Sequence, residues 1–232
     1  TGDPDRGTGG DQPGGWAFSI LPYLEQTTLR QLGKGMPESA KRELAARVAE
    51  TPLAALNCPS RRTLGLYPYG GTHEVLNADP AELVFKTDYA ANAGDLVAGG
   101  LGPGTIADAD NGAYDWGNAL DATGVIYSRS EVAIRHITRG TSHTYLVGEK
   151  RCQRDGYDWG DDQHAFLGHG NDTARYTSLD QPLAPDGEAS GHKQFGSAHP
   201  GGCYFAFADG AVRLVNYDIE PEVHRRSGTR AD

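Results

Sequence analysis

FGSAHPGGCYFAFADGAVRLV, residues 195–215, is the stretch that decides the fold. Two apolar runs, 203–208 and 211–215, flank Asp209-Gly210. An Asp-Gly pair between such runs signals a hairpin, because a two-residue type I′ turn needs φ > 0 at both central positions. The stretch therefore predicts two antiparallel strands with their tip at 209–210. It also places His199 ahead of Asp209 in a His-x9-Asp-Gly pattern. An extended run over 203–208 spans about 20 Å at about 3.3 Å per residue. His199 then falls near the opposite end from Asp209, unless residues 200–202 double the chain back. Asp209 reads as a turn former, and His199 as a hydrogen-bonding anchor before the strand.

Working outward, the composition agrees with short strands joined by long loops. Only 38% of the 232 residues are hydrophobic, while 32 are Gly and 13 are Pro, so turn chemistry takes nearly a fifth of the chain. The length suits one domain with large insertions. Residues 1–15 are polar and Gly-rich and read as a flexible N-terminal segment, leaving 16–232 as a single globular domain. Residues 16–24, WAFSILPYL, read as a strand or a short helix broken by Pro22. Residues 37–50 read as a surface helix, with Pro37 in the first turn, Glu38 at the positive end, and Leu44 and Val48 on one face. Residues 130–137 read as a short helix, and 144–148, TYLVG, as a buried strand. Residues 94–124 and 153–194 lack periodicity and read as long insertions or binding loops.

Charge narrows the partners. The formal net charge is −10, with 31 acidic against 21 basic residues, which disfavours a phosphate backbone and an anionic membrane surface. No run of about 18 apolar residues is present to span a bilayer. Cys58, Cys152 and Cys203 have no metal-ligand spacing. They allow one disulfide, with Cys58 as one partner, or none. Cys203, inside an apolar run, reads as a small buried hydrophobe.

Four constellations could carry chemistry, the first being His199 with Asp209 as a catalytic or metal pair, which the strand length opposes. His164 and His169 are five apart in DDQHAFLGHGND, with Asp161, Asp162 and Asp172 near enough in sequence to join them as metal ligands; the bland reading is loop histidines bonded locally. Asp108-Ala109-Asp110-Asn111-Gly112 resembles part of a calcium loop, where oxygen ligands alternate before a Gly. It nominates Asp108, Asp110 and Asn111 as calcium ligands, against the alternative of an acidic solvated loop. Tyr114-Asp115-Trp116-Gly117 and Tyr157-Asp158-Trp159-Gly160 repeat one pattern. Flat aromatic faces beside acidic rims suit a sugar, so Trp116 and Trp159 are candidate ligand-binding residues, or else plugs that seat loops on the core. Tyr157 joins His164 and His169 as a candidate catalytic residue on that reading. The Gly-rich run at 99–104 lacks a basic residue and contains Pro103, which argues against phosphate. Nucleophile-elbow and Walker motifs are absent.

Five segments in order resemble a bacterial family of prepilin-type, pseudopilin-like proteins with a C-terminal His-x9-Asp-Gly motif, also labelled a solute-binding protein family. They are GWAFSILPYLEQ at 15–26, CPSRR at 58–62, TDYAANAG at 87–94, ITRGTSHTYLVGEK at 137–150 and HPGGCYFAFADG at 199–210. Arg139 and His143 depart from the Asp and Asn usual in that family. The family normally opens with a prepilin leader and a long apolar helix, and residues 1–15 carry neither. In pilin-like folds that helix covers one face of an antiparallel sheet. Here the face would need another cover: the 37–50 helix, a long loop or a partner chain.

The resemblance implies an α+β, pilin-like antiparallel sheet with long loop insertions and few short helices. It implies an extracellular or cell-surface location and a non-enzymatic role in a surface fibre or secretion apparatus. Pilin-like subunits or secretion components would be its partners, and a membrane would be met only through the N-terminal helix. The rival reading is a secreted carbohydrate-active protein, a polysaccharide lyase, hydrolase or sugar-binding module using the two long loops. Binding of a small solute rests on the family label alone.

Overall fold

A computed structural model describes residues 1–97, 102–112 and 114–232. Gly99, Gly100 and Leu101 of the Gly-rich run lie outside the described residues. The fold is α+β, with short helices and small sheets around one larger sheet. The helices are α1 (Trp16–Ser19), α2 (Thr27–Arg30), α3 (Glu38–Ala49), α4 (Ile106–Asp110) and α5 (Pro221–Gly228). The strands are β1 (Tyr67–Pro68), β2 (Leu83–Val84), β3 (Tyr89–Asn92), β4 (Tyr145–Glu149), β5 (Ala174–Arg175), β6 (Ala184–Pro185), β7 (Gly196–Ser197), β8 (Gly202–Phe207) and β9 (Val212–Asn216).

The main sheet has the order β5-β3-β4-β8-β9. It is antiparallel except where β5 joins β3 in parallel. The opening hairpin forms, with Cys203 opposite Val215 and Phe205 opposite Arg213. Its tip differs from the expected type I′ turn. Gly210 has φ of 86°, but Asp209 is not among the residues with positive φ. The Gly210 amide donates to the Phe207 carbonyl, and the Phe207 amide to the Ala211 carbonyl. The loop therefore has three residues, Ala208 to Gly210: a type I turn closed by one left-handed glycine. Asp209 stabilises it from within, since its Oδ1 accepts from the Ala211 amide and its Oδ2 pairs with Arg213 at 2.8 Å.

Alternation along β8 sends Cys203, Phe205 and Phe207 to the core. Tyr145 of β4 stacks on Phe205 with ring centroids 3.9 Å apart, and Phe195 completes the cluster. Gly148 lies directly opposite Phe205, and a Cβ there would overlap the ring. α5 closes this face, with His224 packed 5.7 Å from the Tyr145 ring. Asn92 ties the layers together, donating from Nδ2 to the carbonyls of Tyr145 and Gly228. The sequence reading did not anticipate α5.

Residues 16–24 are helical, as α1 followed by a 3-10 turn over Leu21–Leu24. α3 matches the expected 37–50 helix. It buries Ala45, Ala46, Val48 and Ala49, with Val48 in a second cluster beside Phe18, Leu21, Phe85 and Phe166. Residues 130–137 form only a 3-10 turn at Ile134–His136. Residues 1–15 adopt no helix or strand, yet Gln12 binds them internally, accepting from the Asp3 amide and donating to the carbonyls of Asp3, Arg6 and Gly7.

The opposite face of the sheet is open along β8 and β9, while its β3–β5 side is covered, with Ala91 and Ala174 buried. Directly paired residues share a face. Val147 pairs with Ala206, Ala206 with Val212, and Tyr204 with Leu214. Tyr204, Val212 and Leu214 are 43%, 68% and 45% exposed. α3 packs in the second cluster and leaves this apolar patch uncovered.

Candidate functional site

Three of the sequence segments meet above one end of that open face. Cys58 comes from the loop after the 3-10 turn at Ala54–Leu56, Glu149 from the last position of β4, and His199 from the loop before β8. His199 Nε2 lies 3.3 Å from Glu149 Oε1 and 3.7 Å from Cys58 Sγ. The three ligand-type atoms all fall within 4.8 Å of one another. Cys58 and Glu149 are buried, and His199 is partly open.

The surroundings hold each group. Glu149 Oε2 accepts from the Tyr204 amide at 2.8 Å, which leaves Oε1 for His199. The Cys58 amide donates to Asp88 Oδ2. The His199 amide donates to Ser197 Oγ, and its carbonyl accepts from the Tyr217 hydroxyl. The His199 ring meets Tyr204 edge-on, with centroids 5.6 Å apart. Burial pushes the Cys58 thiol above its ordinary value.

A buried network of charges adjoins this group. Arg61 pairs with Asp88 and Asp186, and Arg62 with Asp88 and Asp161. Lys150 Nζ reaches Asp161 at 2.9 Å. Burial alone would raise the Asp161 carboxyl, but Lys150 and Arg62 outweigh it and hold that carboxyl below the usual range. Arg175 is fully buried and donates to the carbonyls of Gln194, Arg151 and Gly160. Arg61, Arg62 and Lys150 are paired with carboxylates and Arg175 is satisfied by carbonyls, as burial in a low dielectric requires.

The residues singled out from sequence lie elsewhere. His164 is buried; its Nδ1 accepts from the Phe166 amide, and burial depresses its imidazole well below the ordinary range. His169 Nε2 sits 3.3 Å from the Tyr176 hydroxyl, and burial lowers it to about 4. Tyr157 is half exposed, with the Lys86 ammonium 3.5 Å from its ring centroid. Burial lowers Lys86 to about 8. Trp116 packs edge-on against Tyr114 under Arg129. Trp159 is 71% exposed and neighbours His192. Asp108 and Asp110 fall in α4, with Asn111 at its C-terminal end, and Asp110 is held at both oxygens by Arg6. A cavity of about 80 Å³ opens between Leu179, Leu183, Tyr217, Ile219 and His224, and none of these candidates lines it.

Sequence reasoning weighed His199 only with Asp209 and missed its grouping with Cys58 and Glu149. The available signal was polar residues in apolar settings: Glu149 at the end of TYLVG, and Cys58 and His199 each beside a proline. Cys58, Cys152 and Cys203 are all buried free thiols, so of the two cysteine readings the structure takes the one without a disulfide.

No curated protein and no solved structure matches the chain. A family model labelled SBP_bac_10, described as "Protein of unknown function (DUF1559)", matches residues 1–222, and the chain belongs to that family.

Proposed function

We propose that this chain is the extracellular domain of a pilin-like subunit, serving a surface fibre or secretion apparatus as a structural component. The observation that supports this reading is the open face of the main sheet. Val147, Tyr204, Ala206, Val212 and Leu214 form an apolar patch with no cover from α3 or α5. A pilin-like subunit lays a long apolar helix on such a face. Burying each large side chain there contributes about 1.5–3 kcal/mol, which is enough to fix a helix in place. Trp116 and Trp159 have different neighbours. That separation favours a scaffold over a joint aromatic platform for a sugar.

Two charged substitutions test this. Val212→Asp and Leu214→Asp lie at exposed positions, so the isolated domain should keep its stability within about 0.5 kcal/mol. In cells expressing the whole protein, the same changes should remove it from the sheared surface fraction. Wild-type surface assembly by both variants would overturn the reading. So would turnover of any member of a panel of acidic and neutral polysaccharides.

A further inference from the structure

We propose that Cys58, Glu149 and His199 bind a zinc ion, with the fourth coordination position open to water. Distances carry the argument first. Zinc bonds of about 2.3 Å to sulfur and about 2.0 Å to nitrogen and oxygen, at tetrahedral angles, set S···N about 3.6 Å and N···O about 3.3 Å apart. The structure has 3.7 Å and 3.3 Å for these pairs. Those separations fit a metal better than they fit hydrogen bonds, because N–H···O bonds normally run about 2.7–3.2 Å.

Connectivity carries it second. In a cysteine–histidine–acid relay, the thiol and the acid sit on opposite ring nitrogens. Here both approach the same atom, Nε2. One nitrogen cannot hold a proton for both partners, whereas one cation can bind all three. The site is therefore a chelate and not a nucleophile with its base.

Electrostatics carry it third. Glu149 is 1% exposed, and its one ion-pair partner among the described residues is His199. The neighbouring Arg61 and Arg62 are committed to Asp88, Asp161 and Asp186. A buried carboxylate without a cation is costly, and a dication would offset it. The donor set selects the metal. A thiolate, an imidazole and a carboxylate suit zinc, while calcium takes oxygen ligands alone. The outer contacts suit a metal site as well: Tyr204 N–H fixes the second carboxylate oxygen, and Asp88 fixes the Cys58 backbone. The partial exposure of His199 provides the way in.

The test uses the purified domain, stripped with chelator and titrated with cobalt(II), then with zinc in competition. The wild type should bind one metal ion per chain. Its cobalt form should show a thiolate-to-metal charge-transfer band and tetrahedral visible bands, all displaced by zinc. Cys58→Ser should remove the charge-transfer band, and Glu149→Gln and His199→Ala should each weaken zinc affinity at least about 100-fold, beyond the loss typical of outer-shell changes. Asp110→Asn should leave the spectrum unchanged. The wild-type spectrum decides the matter even if a variant fails to fold. A wild-type protein without the band, or a folded Cys58→Ser protein that keeps it, overturns the proposal.

Discussion

Asp172 shows how a single residue couples this fold to pH. Burial raises its carboxyl from the ordinary 3.8 to about 7, with Asp162 and Asp161 adding to the rise and Lys150 opposing it. Between those values the folded protein holds a proton that the unfolded chain releases. Stability from this group therefore falls as pH rises from about 4 to about 7, by at most about 1.4 kcal/mol per pH unit. Asp172→Asn removes the slope. Urea midpoints measured across that range should move in the variant's favour with rising pH, and parallel profiles would refute the assignment. None of this was legible in DDQHAFLGHGND. The carboxyl pair arises because the 153–194 loop folds inward, and sequence spacing says nothing of that.

At the scale of elements, the β8–β9 hairpin rests on one backbone conformation. Gly210 sits at φ of 86°, a region where a Cβ costs about 1–2 kcal/mol. Gly210→Ala should lower stability by about 1 kcal/mol, read from the denaturant midpoint at unchanged m-value. Gly148→Ala is a harsher change, because its Cβ would meet the Phe205 ring inside the core. It should cost about 1–3 kcal/mol; a variant as stable as wild type would mean that Phe205 can move aside. α3, β4, β8 and β9 were legible because each combines a clear start or turn signal with apolar periodicity. α5 was not, since its sequence PEVHRRSG offers one aliphatic residue, and His224 supplies the buried contact. β5, two residues long, is too short for any period to show, and its place is set by pairing with β3.

For the molecule as a whole, buried histidines weaken the fold in acid. Burial lowers His169 and His224 from 6.5 to about 4, and His164 well below the ordinary value. Each is neutral in the fold and takes a proton on unfolding, so its stability contribution is present above pH 6.5 and is lost as pH falls toward about 4. Asp172 acts in the opposite direction over that interval, so thermal melts should drop less than the histidines alone would give. Replacing His224 with Gln should flatten the drop, and an unchanged profile would refute its part in it. With three free thiols and no bridge, the melting temperature should be the same with and without reductant; a decrease on reduction would show a disulfide that this fold lacks.

By itself the sequence determined the class of the fold, the hairpin at 195–215 and the order of five family segments, because turn chemistry and apolar alternation act over a few residues. Only the tertiary structure decided which segments meet. Cys58 and His199 are 141 positions apart, and no local rule brings their side chains to Glu149. β4 lies between β3 and β8, so its end meets the loop before β8 that carries His199, and Asp88, just ahead of β3, draws in Cys58 by accepting from its amide. The open face of the sheet was decided at the same level, by α3 packing on the Phe18 cluster and α5 on the Phe205 cluster.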